Sequence, residues 1–228
     1  MLDQTILTVI RWRAQFLPDL KGPGLLAHLR MRKRKLEMKL EGLEGFSSPD
    51  PRKEQYATPS SVASELLYWA LMMGDLETAC DLGCGTGTLA IGAALLGSRP
   101  FGIELDPLAL EIAKENASKM GVQVDFVRGD IGSIALKKVP TVIMNPPFGA
   151  QKGSQGDRAF LRKAIEIGDV IYSIHNAGSE GFIKRFVEPC KVEEVRKIAF
   201  PLKRSFEFHS RDVKIIEVEL YRIVCKQR

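Results

Sequence analysis

From residue 79 onwards, short runs of apolar and β-branched residues alternate with amphipathic stretches that have the length of helices. The predicted strands are TACDLG (78–83), PFGIEL (100–105), VQVDFVRGD (122–130), TVIMN (141–145) and DVIYSIH (169–175). Between them, apolar residues recur with helical spacing in 87–96, 107–121 and 157–168. Strands separated by helices of this length form right-handed βαβ units, so the pattern predicts an α/β fold with a parallel sheet.

The C-terminal part of the chain follows a different pattern. A predicted helix, SEGFIKRFVEP (179–189), precedes two long β-rich runs, VEEVRKIAFPL (192–202) and VKIIEVELYRIV (213–224). Only KRSFEFHSRD (203–212) joins these runs, with no helical pattern between them. We therefore expect them to pair as an antiparallel hairpin.

The N-terminal residues carry helical patterns without strands. Residues 31–46 place three leucines on one face of a predicted helix. Residues 54–76 predict a second helix, with Thr58 or Ser60 as its N-cap and Pro59 in its first turn. We divide the chain into an N-terminal extension (1–30), a helical segment (31–78) and the α/β domain (79–228).

The composition is that of a globular protein. Hydrophobic residues make up 45% of the chain, and no apolar run reaches the roughly 18 residues of a membrane span. The apolar stretch near the start, TILTVI, is too short for a secretory signal, so we predict a cytoplasmic protein that does not enter the membrane. The four cysteines, Cys80, Cys84, Cys190 and Cys225, show no metal-ligand spacing, and we interpret them as reduced thiols without a disulfide or metal site.

The net charge of +5 is concentrated near the N-terminus. Residues 1–53 contain eleven Lys and Arg against six Asp and Glu, whereas the rest of the chain is formally neutral. The centre of this excess is RMRKRK (30–35). Such a cluster is typical either of a contact to a nucleic-acid backbone or of a solvated helix face, and charge alone does not separate the two.

A glycine-rich segment, DLGCGTG, connects the first predicted strand to the next helix. Glycines there allow a ligand to approach the backbone, and a helix N-terminus offers free N–H groups. Three acids, Asp81, Glu104 and Asp130, end successive strands and would repel one another unless they face a ligand rich in donors. Glu104 is suitably placed to accept hydrogen bonds from ribose hydroxyls. Because Asp81 disfavours a pyrophosphate and suits a cation, the pattern favours S-adenosylmethionine.

The fourth predicted strand runs into Asn145-Pro146-Pro147-Phe148. The side-chain oxygen of Asn145 and the carbonyl of Pro146 can accept both hydrogens of a planar amino group. Prolines make such a turn rigid and remove competing donors. Phe148 offers a face on which a heterocycle can stack. The motif therefore predicts a site that methylates an exocyclic amine.

The motifs together resemble a known family. The order EQYATP, DLGCGTGTLAIGAALLG, GIELD, RGD, VIMNPPFG, DRAFL, YSIH and FEFH…VKIIEVELYR is similar to the archaeal and eukaryotic rRNA N6-adenine methyltransferases of the methyltransferase-like protein 5 family, from about residue 31 to the end. The resemblance implies a class I, Rossmann-like methyltransferase fold with a seven-stranded, mostly parallel sheet, helices on both faces and an antiparallel C-terminal hairpin. It implies S-adenosylmethionine as methyl donor and an adenosine of small-subunit rRNA as acceptor.

The resemblance also assigns site residues. Cofactor contacts fall on Gln55, Thr58, Gly83, Thr86, Thr88, Glu104, Asp130 and Ile131, to which the residue reasoning adds Asp81 and Gly85. The catalytic motif falls on Asn145, Pro146, Pro147 and Phe148. This chain departs from the family's usual residues at Glu104 for Asp, Ala150 for Thr and Asn176 for Lys.

Two features concern binding partners. The resemblance implies a small zinc-binding activator protein that forms a heterodimer by strand addition, and the apolar third strand, VQVDFVRG (122–129), is the expected edge of the sheet. For RNA, we consider the hairpin loop with Phe206, Phe208 and His209, and the helix with Arg158, Arg162 and Lys163 that follows the Asn-Pro-Pro-Phe motif.

Three alternatives stay open from the residues alone. The N-P-P-F motif also occurs in N5-glutamine methyltransferases that act on translation factors and in guanine amino-methyltransferases. A non-catalytic RNA-binding assembly factor is the third alternative, although buried polar groups that bind no ligand would cost the protein stability.

Two residues also have two possible roles each. Tyr56 either closes over the cofactor or packs under the loop, and His175 either lines the pocket or bonds a backbone carbonyl.

Overall fold

The computed structural model describes residues 31–47, 55–148, 156–202 and 214–225. The elements in chain order are α1 (Lys33–Glu41), α2 (Ser60–Met73), β1 (Thr78–Leu82), α3 (Thr88–Leu95), β2 (Arg99–Glu104), α4 (Pro107–Met120), β3 (Asp125–Arg128), β4 (Val139–Met144), α5 (Gly156–Ile167), β5 (Gly168–Asn176), α6 (Glu180–Phe186), β6 (Lys191–Leu202) and β7 (Lys214–Val224). The predicted N-terminal extension and the hairpin loop 203–212 lie outside the described residues.

The sheet has seven strands in the order β3-β2-β1-β4-β5-β7-β6. Strands β1 to β5 are parallel, whereas β7 is antiparallel to both of its neighbours. The expected mostly parallel sheet and the antiparallel C-terminal hairpin are therefore confirmed. The strand order reverses between β1 and β4, and ligands of open α/β sheets bind outside the carboxyl ends of the strands at such a point.

Helices cover the sheet on both faces. On one face, α1, α2 and α3 enclose a core that includes Leu36, Leu66 and Trp69. On the other face, α5 and α6 pack Leu161 and Ile183 against the sheet. In the described part of the chain, no helix is long and apolar enough to cross a membrane.

The start of α2 differs from the prediction. Pro59 occupies the N-cap position and Ser60 is the first helical residue, so neither Thr58 nor Ser60 caps the helix, and no side chain bonds the free N–H groups there. The reason lies in the tertiary structure, because the Thr58 hydroxyl accepts a hydrogen bond from the side chain of Asn145 instead.

The cysteine prediction was wrong for one pair. Cys190 and Cys225 form a disulfide across 35 residues of sequence, with their Cα atoms 4.2 Å apart. The antiparallel hairpin explains the pairing: Cys190 directly precedes β6 and Cys225 directly follows β7, so the two residues meet where the hairpin opens. Cys80 and Cys84 are free and buried, as expected, and burial raises the pKa of both thiols.

The third strand is the edge of the sheet, as predicted, but it is shorter than predicted. Strand β3 covers only Asp125–Arg128, so Val122 and Val124 precede it. The side chain of Val127 is 44% exposed. Helix α1 packs on α2 and α3 rather than on β3, so the described N-terminal residues leave this edge uncovered.

Candidate active site

The carboxyl ends of β1, β2 and β4 open into a cavity of about 470 Å³. This volume is in the range of small-molecule sites. The predicted residues that line it are Gln55, Thr58, Asp81, Gly83, Gly85, Thr86, Thr88, Glu104, Asn145 and Pro147. They come from three strand ends, the glycine loop and the segment before α2, and only the folded sheet brings them together.

The glycine loop needs its glycines for two reasons. Gly83 and Gly85 have φ angles of 70° and 52°, in the left-handed region that other residues rarely adopt. A Cβ atom on Gly83 would lie 2.6 Å from the ring of Phe160, and one on Gly85 would lie 2.9 Å from the ring of Phe46. Two aromatic rings thus press directly on the loop, so any side chain at these positions would displace them.

Asp81 lies almost fully buried at the end of β1. One carboxylate oxygen accepts a hydrogen bond from the Ala90 N–H at 2.9 Å. The pKa of Asp81 is raised to about 7, mainly by burial; the Ala90 hydrogen bond lowers it, and the charge of Glu104 makes a smaller contribution that raises it. A cation bound in the cavity would stabilise the charged form of Asp81 and lower this pKa.

Glu104 lines the cavity from the end of β2 and organises the backbone around it. One carboxylate oxygen accepts from Gly85 N at 3.0 Å, and the other accepts from the N–H groups of Leu105 and Asp106 at 2.8 and 2.9 Å. A carboxylate has about four acceptor sites, so roughly one is left for a ligand hydroxyl.

Asn145 follows β4, and only the nitrogen of its side-chain amide has a hydrogen-bond partner among the described residues. Its Nδ2 donates to the Thr58 hydroxyl at 3.0 Å. Its Oδ1 is buried and accepts no hydrogen bond from any described residue. A buried acceptor without a partner costs about 1–3 kcal/mol, so Oδ1 is ready to receive a donor from a ligand.

Phe148 belongs to an aromatic cluster beside the cavity. Its ring centroid lies 6.0 Å from that of Tyr56 and 5.8 Å from that of Phe200, which it meets edge on. Tyr56 lines the cavity as well. Phe148 is half-buried, and Pro146 is buried.

The structure keeps other predicted residues out of the cavity lining. Asp130 is exposed because β3 ends two residues before it, and its carboxylate accepts from Gly132 N at 2.8 Å. Ile131 packs behind the glycine loop, 3.8 Å from the position of a Cβ on Gly83. His175 is buried away from the cavity, with Nε2 3.0 Å from the Ser173 hydroxyl and Nδ1 3.6 Å from the Asp157 carboxylate.

Lys163 is buried and is not placed to contact an RNA phosphate, contrary to what the sequence had suggested. It is only 8% exposed, and its Nζ donates a hydrogen bond to the Ile134 carbonyl at 3.0 Å. The same Nζ forms an ion pair with Glu166 at 2.8 Å. The lysine therefore anchors α5 to the loop after β3.

Sequence reasoning missed several residues of the cavity. Phe46 and Phe160 form walls over the glycine loop, and Asp106 accepts from Gln55 Nε2 at 2.8 Å. Asn116 on α4 holds Phe46 in place indirectly, since its amide bonds both backbone groups of Glu44 and donates to the Thr86 carbonyl. Only Asp106 carried a local signal, because an Asp before Pro107 is typical of a helix N-cap.

Among the residues that the structure describes, no three His, Cys, Asp or Glu side chains are grouped as ligands for a metal ion.

Comparison with known proteins agrees with this geometry. Residues 60–167 match the methyltransferase small domain family. The chain is 35% identical over 205 residues to the rRNA N(6)-adenosine-methyltransferase Mettl5 of Drosophila melanogaster, covering 85% of this chain and 96% of the relative. It is 40% identical over 209 residues to an uncharacterized protein of Methanocaldococcus jannaschii, covering 85% and 94%. A crystal structure of a candidate RNA methyltransferase from Pyrococcus horikoshii is 40% identical, with a TM-score of 0.74, and covers 85% of this chain and 98% of that one.

Proposed function

Because the chain belongs to the Mettl5 family of rRNA N6-adenosine-methyltransferases, we propose that it transfers a methyl group from S-adenosylmethionine to N6 of an adenosine in rRNA. The observation that carries this function is the buried Oδ1 of Asn145, an acceptor without a described partner at the wall of a cofactor-sized cavity. The sequence resemblance adds the small ribosomal subunit as the source of the adenosine, and we propose the cytoplasm as the location from the lack of a secretory-signal pattern in TILTVI.

The cavity fits S-adenosylmethionine. The Thr86 hydroxyl lines the cavity, is buried and has no hydrogen-bond partner among the described residues. A polar group of the ligand can therefore form a hydrogen bond with it. Glu104 retains about one acceptor site for a ribose hydroxyl. Asp81, whose carboxylate charges more easily beside a cation, suits the positively charged end of the cofactor. When bound, S-adenosylmethionine supplies an electrophilic methyl group on a positively charged sulfur.

The residues of the Asn-Pro-Pro-Phe turn prepare the amine. Asn145 Oδ1 and the Pro146 carbonyl accept the two N–H bonds of N6, which favours a pyramidal nitrogen with an available lone pair. Bound S-adenosylmethionine would supply the methyl group to this lone pair, and its sulfur would leave as a neutral thioether. The methylated amine is then cationic and acidic, so it loses its proton to solvent without a strong protein base. Hydrogen bonds from N6 to these two acceptors strengthen as positive charge develops on the nitrogen. They therefore stabilise the transition state more than the bound substrate and lower the activation barrier.

The function is tested by methyl transfer to defined acceptors. Purified protein is incubated with isotope-labelled S-adenosylmethionine and, separately, small ribosomal subunits, naked small-subunit rRNA and translation release factors. We expect labelled N6-methyladenosine in nucleoside digests of the rRNA, formed about 10²–10³ times more slowly by Asn145→Ala. Label in the release factors alone would establish the glutamine alternative, and cofactor binding without any transfer would support a non-catalytic assembly factor.

The exposed edge of the sheet supports the activator partner that we propose for this enzyme. Strand β3 offers an unpaired backbone edge, and its residue Val127 is 44% exposed. Such an edge favours pairing with a strand of another chain. We propose that a small zinc-binding protein adds a strand there and keeps the enzyme soluble.

A further inference from the structure

Three exposed arginines on α5 and α6 have no ion-pair partner in the described part of the chain: Arg158, Arg162 and Arg185. We call them the arginine strip. Among the other exposed basic residues, Lys33, Arg99 and Lys119 are each paired with a glutamate.

The three side chains follow one another along the surface. Arg158 and Arg162 are four residues apart on α5, which places them on the same helix face with a rise of about 6 Å. The Arg158 guanidinium lies over the ring of Phe182 on α6, 5.5 Å from its centroid. Arg185 is one turn further along α6, and its Nη1 reaches back to 3.9 Å from the position of a Cβ on Gly181. The strip therefore continues from one helix to the next.

Lysines already pair with two of the nearby carboxylates, Glu166 and Glu180, so the three arginines outnumber the carboxylates that remain near them, Asp157 and Glu188. Asp157 lies 3.6 Å from His175, Glu166 lies 2.8 Å from Lys163, and Glu180 lies 2.6 Å from Lys184. The arginines thus keep an excess of positive charge on this surface.

The strip begins beside the active site. Arg158 is in the first turn of α5, and the neighbouring Asp157 contacts His175 at the carboxyl end of β5. Phe160, which lies between Arg158 and Arg162 in sequence, lines the cavity. The start of α5 is thereby held near the carboxyl end of β5, next to the end of β4 that Asn145 follows.

We infer that the arginine strip binds the phosphates of the RNA strand that flanks the target adenosine. This inference rests on the proposed function and names the surface by which the same site holds its substrate. Guanidinium groups match phosphate geometry with two parallel hydrogen bonds, and a row of them beside the cavity follows a strand backbone without reading its bases.

The test compares two double variants, each of which replaces two basic residues with glutamine. Arg158→Gln with Arg162→Gln removes two charges from the strip. Lys137→Gln with Lys138→Gln is the matched control, because both lysines are exposed and directly precede β4, at the opposite end of that strand from Asn145. Binding of naked small-subunit rRNA is measured as a function of salt, together with kcat and KM for methyl transfer and the affinity for S-adenosylmethionine as a check of folding.

Two phosphate contacts on single-stranded RNA should lower the slope of log affinity against log salt by about 1.4. We expect that change in the strip variant, with roughly 25-fold weaker RNA binding at 0.1 M salt, since a slope of 1.4 over one decade gives this factor. Its KM should rise while kcat at saturating RNA and cofactor affinity stay unchanged. Adding Arg185→Gln should lower the slope further by about 0.7.

The outcomes separate the inference from the function on which it rests. If the wild type does not methylate rRNA, the proposed function itself fails. If the wild type is active and the strip variant matches the lysine control, the strip does not bind RNA. A defect seen with intact subunits but absent with naked rRNA would assign the strip to a ribosomal protein and overturn the inference.

Discussion

The side-chain amide of Asn145 donates to the hydroxyl of Thr58 at 3.0 Å, and this contact joins the end of β4 to the segment before α2. The two residues are 87 positions apart in the sequence. With Nδ2 occupied, Oδ1 is the atom of Asn145 that remains for a substrate amine. The contact therefore determines which half of the amide is available for the catalytic role that we propose for Asn145.

Replacing Asn145 with Ala should abolish most methyl transfer and leave cofactor binding intact. The lost oxygen acts mainly in the transition state, so we expect kcat to fall by about 10²–10³. Single-turnover methylation of rRNA measures the rate, and calorimetry measures the affinity for S-adenosylmethionine. A mutant as fast as the wild type would remove Asn145 from the mechanism.

Replacing Glu104 with Ala should weaken cofactor binding by roughly 1–3 kcal/mol. We propose that the carboxylate provides an acceptor for the ribose, and it also holds the N–H groups of Gly85, Leu105 and Asp106. Calorimetric titration with S-adenosylmethionine measures the change. Glu111→Ala on the exposed side of α4 is the control, and equal affinities for the two variants would show that Glu104 faces no ligand.

Cofactor affinity should rise with pH because of Asp81. The carboxylate with a pKa of about 7 is partly protonated at neutral pH, and a cationic ligand favours its charged form, so binding releases a proton. For a group that titrates near 7, the affinity should increase about tenfold between pH 6 and pH 8. Asp81→Asn should flatten this profile. The same profile in wild type and variant would assign the pH dependence to another group.

The raised pKa of Asp81 also predicts how the free energy of unfolding changes with pH. Its folded-state value lies above the ordinary value of 3.8, so its contribution to stability is fully present below about pH 4 and declines as the pH rises through about 7. Without ligand, the wild type should lose more stability than Asp81→Asn over this interval, as measured by chemical denaturation at each pH.

Reduction of the Cys190–Cys225 bond should destabilise the hairpin. Closing a loop across 35 residues is worth about 4 kcal/mol in the chain-entropy description. Thermal unfolding with and without reductant measures the loss, and the double replacement of both cysteines by Ser should match the reduced wild type. Thiol titration of the unfolded protein should find two free thiols before reduction and four after it. Four thiols at the outset would contradict the disulfide.

A charge on the exposed edge should prevent strand addition. Val127→Lys places an ammonium group on β3, and we expect it to abolish the complex with the activator without changing cofactor affinity. Co-purification measures the complex. Met38→Lys is the matched control, since Met38 is 65% exposed on α1 and distant from this edge. An active wild type that gains neither solubility nor activity from the activator would refute the proposal.

Local signals predicted the elements that build the site. The alternation of strands and helices gave the parallel sheet, since residue spacing of two or about 3.6 reflects backbone geometry. Asn145 and the glycines of the loop were recognisable because prolines and glycines constrain the backbone at their own positions. The sequence predicted Asp130 at the cavity, but the structure places it outside the lining. The end of a short edge strand has no strong local signal, so the prediction put the end of β3 too far along the chain.

The sequence by itself determined the order of strands and helices, the glycine loop and the Asn-Pro-Pro-Phe turn, because each depends on residues adjacent along the chain. The tertiary structure alone decided that Phe46 and Phe160 press on the glycine loop, that Thr58 holds the amide of Asn145, and that Cys190 meets Cys225. These contacts join residues that are distant in sequence, and no periodicity encodes them. They form when the apolar faces of helices and sheet pack together, because burial of those faces fixes which side chains become neighbours.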